Sequence, residues 1–168
     1  MSVSTININK FQQNFEKTLN KEKYGEVNTD FELIIKMLDL IPSNYYKNPK
    51  LKWLDPCCGH GYFMIVLFHR LNYSLKDVIP NENSRSNHII ENMLYMVEIN
   101  PNHVPKLEEL FGKSANIYNE DFLDFKKDMQ FDIIVGNPPF NSGGKKKVPT
   151  DKKSQKKKRW KNNMDIFC

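Results

Sequence analysis

The run Leu54-Asp55-Pro56-Cys57-Cys58-Gly59-His60-Gly61-Tyr62-Phe63 leaves this chain few folds to choose from. It follows a short apolar stretch (Leu51, Trp53, Leu54) and precedes the apolar residues Met64 to Phe68, so it reads as strand, glycine turn and buried helix. Gly59 and Gly61 permit the tight turn that feeds a helix and let backbone come close to a ligand. Strand-like runs recur near residues 93–98, 115–119 and 131–136, with helical segments between them and one helix ahead of the first strand. That alternation predicts an α/β chain built as a Rossmann-like, doubly wound parallel sheet with its ligand at the C-terminal ends of the strands.

The second run, Met93-Leu94-Tyr95-Met96-Val97, ends in Glu98, an acid placed to grip ribose hydroxyls. In nicotinamide-binding folds that acid lies about 20 residues beyond the glycine turn. Glu98 is farther away, and the polar stretch Asn72 to Asn87 reads as an inserted loop that accounts for the excess. No third glycine stands at the phosphate-cradling position, which favours a ligand without phosphates over a dinucleotide. S-adenosylmethionine meets that description.

The fourth run, Phe131-Asp132-Ile133-Ile134-Val135-Gly136, leads into Asn137-Pro138-Pro139-Phe140, which suits methyl transfer to an exocyclic amine on a planar ring. Such a nitrogen is a poor nucleophile because its lone pair is delocalised into the ring. A buried carboxamide oxygen of Asn137 and the backbone carbonyl of Pro138 can accept its two N–H bonds, drawing the lone pair out of conjugation where transition-state charge develops. Pro138 and Pro139 each lock φ and restrict the residue before them, which holds both acceptors in place. Phe140 offers a face on which a base can stack. Read alone, the four residues also describe a strand end and a Pro-Pro turn with Phe140 merely packing. The glycine motif upstream decides between the two readings.

With both motifs, the chain resembles the S-adenosylmethionine-dependent amino-methyltransferases, and most closely the N6-adenine DNA methyltransferases with an Asn-Pro-Pro-Phe motif. The resemblance runs from about Lys23 to Asn141. It implies that Asp55, Pro56, Gly59, Gly61 and Phe63 hold the methionine part of the cofactor and that Glu98 holds its ribose. Asp121-Phe122 resembles the acidic-aromatic pair that flanks the cofactor's adenine, and Asn137, Pro138, Pro139 and Phe140 form the catalytic motif. Upstream, Tyr24-Gly25-Glu26-Val27-Asn28-Thr29-Asp30-Phe31 is similar to the family's N-terminal motif, in which a threonine, here Thr29, contacts the methionine carboxylate. Asn28 and Asp30 depart from the family's usual Phe-Thr-Pro at this place. Thr29-Asp30-Phe31-Glu32 also reads as a capping box, with Phe31, Ile34, Ile35 and Leu38 at helical spacing behind it. The two roles are compatible, since free N–H groups at a helix start attract anions.

The implied activity is methyl transfer to N6 of a flipped adenine in DNA, as in restriction and modification. Related motifs also serve RNA methyltransferases and protein-glutamine methyltransferases, the latter usually with tyrosine where Phe140 stands. A non-catalytic nucleic-acid-binding remnant is a further alternative. Its binding would rest on the tail: residues 145–161 hold 10 of the 25 Lys and Arg, and residues 145–168 only two of the 20 acids, Asp151 and Asp165. Residues 1–144 thus carry 15 cations against 18 anions. The tail can contact phosphates by counterion release, or simply be a solvated, disordered charge run.

The remaining candidates point to structure. Adjacent Cys57 and Cys58 lack the spacing that wraps one zinc, so no metal is expected. His69, His88 and His103 are isolated, with surface or helix-face positions expected. Three cysteines give no disulfide framework, and no apolar run suits a membrane span or signal peptide. An intracellular, reducing compartment is expected, not secretion. The domain reading is an N-terminal extension (1–22), a partial methyltransferase domain (23–141) and the Lys-rich tail (142–168). The family's sheet has seven strands and only four are visible here, so the chain is expected to be a fragment: a truncated gene, a frameshifted product, or one part of a split enzyme, in which last case a second chain supplies the missing half of the sheet and target recognition.

Overall fold

The computed structural model describes residues 29–125 and 128–138. Helix α1 (Phe31–Asp39) and the short α2 (Ser43–Tyr46) lead to strand β1 (Trp53–Asp55), and α3 (Tyr62–Ser74) follows. Helix α4 (Glu82–His88) runs through a π-helical turn (Ile89–Met93) directly into β2 (Leu94–Val97). Then come α5 (Val104–Phe111), β3 (Asn116–Tyr118) and β4 (Ile133–Ile134). All pairings are parallel and the spatial order is β3-β2-β1-β4. The expected α/β fold with a doubly wound sheet is therefore present, and all four strands fall within the predicted runs.

Strand alternation divides the sheet into two faces. Trp53, Leu94, Met96, Ile117 and Ile133 turn toward the larger core with α1, α3 and α5, whereas Leu54, Tyr95 and Val97 turn the other way. The chain moves outward from β1 to β2 to β3 with its helices on the first face, then returns across the second face to place β4 beside β1. Right-handed crossovers require that change of face when the direction of winding reverses. A doubly wound sheet has its ligand crevice at such a reversal, here the carboxyl ends of β1 and β4.

Helix α3 is apolar nearly all round because it is enclosed: Tyr62, Phe63, Met64, Ile65, Leu67, Phe68 and Leu71 are all buried. Helix α1 lies across it through Ile34 and Leu38, with Phe31 against Tyr62 at a ring separation of 5.4 Å. Tyr46 stacks on Trp53 at 5.3 Å and donates its hydroxyl to the Leu38 carbonyl. Arg70 covers the Tyr46 ring at 5.2 Å and reaches Asp39 at 2.7 Å. The Phe31–Tyr62 contact seats the start of α1, and the contacts of Tyr46 and Arg70 hold its far end.

Four readings of the sequence need correction. The stretch Asn72 to Asn87 is not a loop, since it contains the end of α3 and helix α4. Asn81 caps α4 by accepting from the Ser84 amide at 2.9 Å. Buried Arg85 donates to the carbonyls of Ile79 at 2.7 Å and Pro80 at 3.0 Å and to the Asn72 side chain. The helix is anchored by hydrogen bonds, so hydrophobic periodicity could not reveal it. Conversely, between β3 and β4 the described residues form turns, not a helix: Asp121 accepts from the Leu123 and Asp124 amides, and Tyr118, Phe122, Phe125, Met129 and Phe131 cover Leu54, Tyr95 and Val97. The capping box at Thr29 does not form. Asp30 is the cap residue, without a side-chain bond, and Glu32 pairs with Lys36 at 3.9 Å. Ile35, grouped by helical spacing with Phe31, Ile34 and Leu38, is 43% exposed, whereas Ile34 and Leu38 are buried. No helix among the described residues is long and apolar enough to cross a membrane.

Candidate active site

The crevice is built from the ends of three strands. Asp55 is the last residue of β1, buried, and its Oδ1 accepts the Cys57 amide at 3.1 Å. Burial pushes its carboxyl up to about 7, against the lowering effect of the Cys57 bond, and the negative charge of Glu98 adds to the rise. Glu98, just past β2, is also buried, yet its outcome is opposite. Its Oε1 accepts the Asn100 amide at 2.7 Å and stands 3.5 Å from His103 Nδ1. Burial acts to raise it, but the bonds from His103, Asn100 and the Gly59 backbone prevail and hold it below the usual glutamate range. Near neutral pH the crevice thus has one firmly charged carboxylate and one poised to gain or lose a proton.

The two glycines of the turn have different physical reasons. Gly59 has φ +54° and open space where a Cβ would stand, so the constraint is conformational and the backbone faces room for a ligand. Gly61, with φ +79°, caps α3, and a Cβ there would meet Leu107 Cδ2 at 2.7 Å and Phe111 Cε2 at 3.2 Å. It lets the turn pack on α5. Pro56 is buried beside the turn, and Phe63 lies in the main core. The Cys58 amide bonds the Val97 carbonyl at 3.0 Å, which ties the turn to β2.

Beyond β4, Gly136 abuts the first motif: a Cβ there would stand 2.6 Å from Asp55 Oδ1. The next residue, half-buried Asn137, donates its Nδ2–H to Thr29 Oγ1 at 3.0 Å, across 108 positions of sequence. Thr29 is buried, and Pro138 is half-buried. Asp121 is exposed three residues past β3, its negative charge felt by Cys57, while Phe122 stacks on Phe125 at 6.0 Å in the second core. The structure therefore brings Thr29, Asp55, Glu98 and Asn137 to one end of the sheet, with the Gly59 backbone bonded to Glu98. Pro139, Phe140, residues 1–22 and the Lys-rich tail lie outside the described residues.

Three groups were missed in the sequence. His103, expected at a surface or on a helix face, stands at the start of α5, buried beside Glu98, and its ring lies 4.3 Å from that of His60. Asn119 Nδ2 donates to the Glu98 carbonyl at 2.7 Å. Neither shows any local signal. Gly136 does: a residue without a side chain directly after a strand, one step before a candidate site residue, marks a close approach. Cys57 is no nucleophile, because burial and then the charges of Asp55, Glu98 and Asp121 push its thiol up to about 12. Among the described residues no group of three or more His, Cys, Asp and Glu is arranged to hold a metal.

The winding reversal at β1, with a glycine turn and two buried acids beside it, defines a doubly wound α/β protein of the class that binds ligands at its strand ends. The chain belongs to the Eco57I restriction-modification methylase family, whose model matches residues 3–168. It is 40% identical over 84 residues to an uncharacterized adenine-specific methylase of Mycoplasma pneumoniae, covering 48% of this chain and 20% of that protein. It is 29% identical over 153 residues to the type II methyltransferase M.VspI of Vibrio sp. (strain 343), covering 83% of this chain and 31% of that protein. A modification subunit of a putative type I restriction enzyme from Vibrio vulnificus YJ016 shares the fold with a TM-score of 0.57 and 21% identity, over 80% of this chain and 29% of the other. The chain spans between 20% and 31% of the length of these relatives.

Proposed function

We propose that this chain supplies the cofactor crevice and the catalytic motif of an enzyme that transfers a methyl group from S-adenosylmethionine to the N6 amine of adenine in DNA. The observation that carries the reading is the convergence of Asn137 with Asp55 and Glu98 at the winding reversal, in a family of restriction-modification methylases. The residues present fit the cofactor. The open space over Gly59 admits its methionine part, and Glu98, with Oε1 held by Asn100 and His103, is oriented to accept from ribose hydroxyls. Asp55 and the turn hold the amino-acid end, Thr29 its carboxylate, and Asp121 with Phe122 the adenine. When bound, S-adenosylmethionine supplies an electrophilic methyl on a sulfonium.

The target adenine is extruded from the duplex and stacks on Phe140. Its two N6 protons are accepted by Asn137 Oδ1 and the Pro138 carbonyl. This turns the nitrogen lone pair out of the ring, so that with the cofactor bound it would attack the methyl carbon in line as the carbon–sulfur bond breaks to release a neutral thioether, and the amine would then give up one N6 proton to water, with no covalent enzyme intermediate. The partners are DNA and any further polypeptide that provides target recognition, as the modification-subunit neighbour suggests by analogy.

The test supplies unmethylated DNA and tritiated S-adenosylmethionine to the full polypeptide that contains this chain, followed by nucleoside analysis. Label in N6-methyladenine is expected. Asn137→Ala should lower transfer by roughly 10²-fold or more, with cofactor affinity within about threefold of wild type. Equal loss of both would refute the catalytic assignment. Label in RNA or in a protein glutamine would replace the substrate.

A further inference from the structure

We infer that Thr29 is a positioning residue that sets which end of the Asn137 carboxamide faces the target amine. The inference rests on the reading of Asn137 as the amine acceptor. An asparagine side chain has two ends of similar size and opposite hydrogen-bonding sense. Only the oxygen can accept from an amine whose two protons must both be taken up. Presented the other way, the NH₂ end would confront those protons with two more donors. A catalytic asparagine thus needs something to hold its amide one way round.

Thr29 meets that need. Its Oγ1 accepts from Asn137 Nδ2 at 3.0 Å, which occupies the nitrogen end and turns Oδ1 away from Thr29. The hydroxyl is buried, only 9% of the residue being exposed, so water competes little for the bond. The contact is long-range and well braced on both sides. Thr29 sits ahead of α1, which is fixed on α3 by Ile34, Leu38 and the Phe31–Tyr62 contact. Asn137 follows Gly136, whose lack of a side chain lets the β4 end close against Asp55.

A hydroxyl can also donate, so the direction of the bond depends on where the Thr29 proton goes. A carboxylate can only accept. A carboxylate ligand bonded to Thr29 therefore accepts the hydrogen bond of the hydroxyl and leaves only its lone pairs for Asn137, which enforces the orientation seen here. Under the proposed function, the occupied cofactor site thereby orders the acceptor for the second substrate.

The experiment uses the full polypeptide with Thr29→Val, which keeps the shape and removes the hydroxyl, and Thr29→Ser, which restores it. Two quantities are read: kcat at saturating S-adenosylmethionine and DNA, and the side-chain amide resonances of Asn137 in asparagine-labelled protein, assigned by their loss in Asn137→Asp. Thr29→Val should lower kcat about 10- to 100-fold even at saturation, and Thr29→Ser should recover it to within about threefold. The Asn137 resonances should shift on cofactor addition in wild type and Thr29→Ser but not in Thr29→Val. Thr29→Val with unchanged kcat and only a higher cofactor KM would overturn the inference and leave Thr29 as a carboxylate ligand. Resonances unaffected by Thr29→Val would overturn it from the structural side. If Asn137→Ala itself transfers at the wild-type rate, the reading of Asn137 fails instead, and the resonance shift distinguishes that case because it reports the bond without turnover.

Discussion

Asp55 is the residue whose environment has the largest consequence for the molecule. A carboxyl held at about 7 in the folded chain but near 3.8 when exposed carries a proton that the unfolded chain lacks between those values. The stability contributed by the protonated side chain is fully present below about pH 3.8 and is lost as pH rises through about 7. Its size is on the order of 4 kcal/mol as an upper bound. Asp55→Asn mimics the protonated form. Its stability relative to wild type is expected to increase between pH 5 and pH 8 when urea midpoints of the cofactor-free proteins are compared, and parallel pH profiles would contradict the assignment. Thr29 and Asn137 belong to the same scale, because a single hydrogen bond between them joins two segments that the sequence separates by 108 positions.

At the scale of elements, α4 shows how a helix can be specified without an apolar stripe. Its sequence, Glu-Asn-Ser-Arg-Ser-Asn-His, offers no hydrophobic residue, and the segment is held by the Asn81 cap and by Arg85 reaching back to two carbonyls and to α3. Removing that guanidinium takes a charged donor from two partly buried carbonyls and from the Asn72 side chain. Arg85→Ala should therefore cost about 1–3 kcal/mol of stability in chemical denaturation. It should leave cofactor affinity unchanged, since α4 joins β2 at the amino end of the sheet, opposite the crevice. A lowered affinity with intact stability would reverse that assignment. The return crossover is the complementary case: Phe122, Phe125 and Phe131 form a clustered aromatic cover, where the alternation of strands and helices had led to a helix being expected.

For the whole molecule, charge and winding set the terms of function. The described sheet belongs to the part of the chain that carries 15 cations against 18 anions, and the basic residues concentrate between Lys145 and Lys161. Under the proposed function, DNA affinity should depend on salt mainly through that tail. Deleting residues 142–168 from the full polypeptide should flatten the slope of log K against log salt by about 0.9 for each phosphate that the tail neutralises. An unchanged slope would assign the electrostatic attraction to another part of the protein.

The order of the strands was legible because it rests on local chemistry: apolar runs bounded by turn residues, and glycines placed where a strand must turn into a helix. The strand ends near Asp55, Glu98 and Asn137 could be read for the same reason, since a parallel sheet puts the residues that follow its strands at one edge. The pairing of Thr29 with Asn137, the closeness of Gly136 to Asp55, the burial of His103 beside Glu98 and the helix around Arg85 were settled only by the tertiary structure. Each depends on a distance or a hydrogen bond between segments remote in sequence or without apolar patterning. Residue type and local spacing carry no information about such distances until the winding of the sheet brings the segments together.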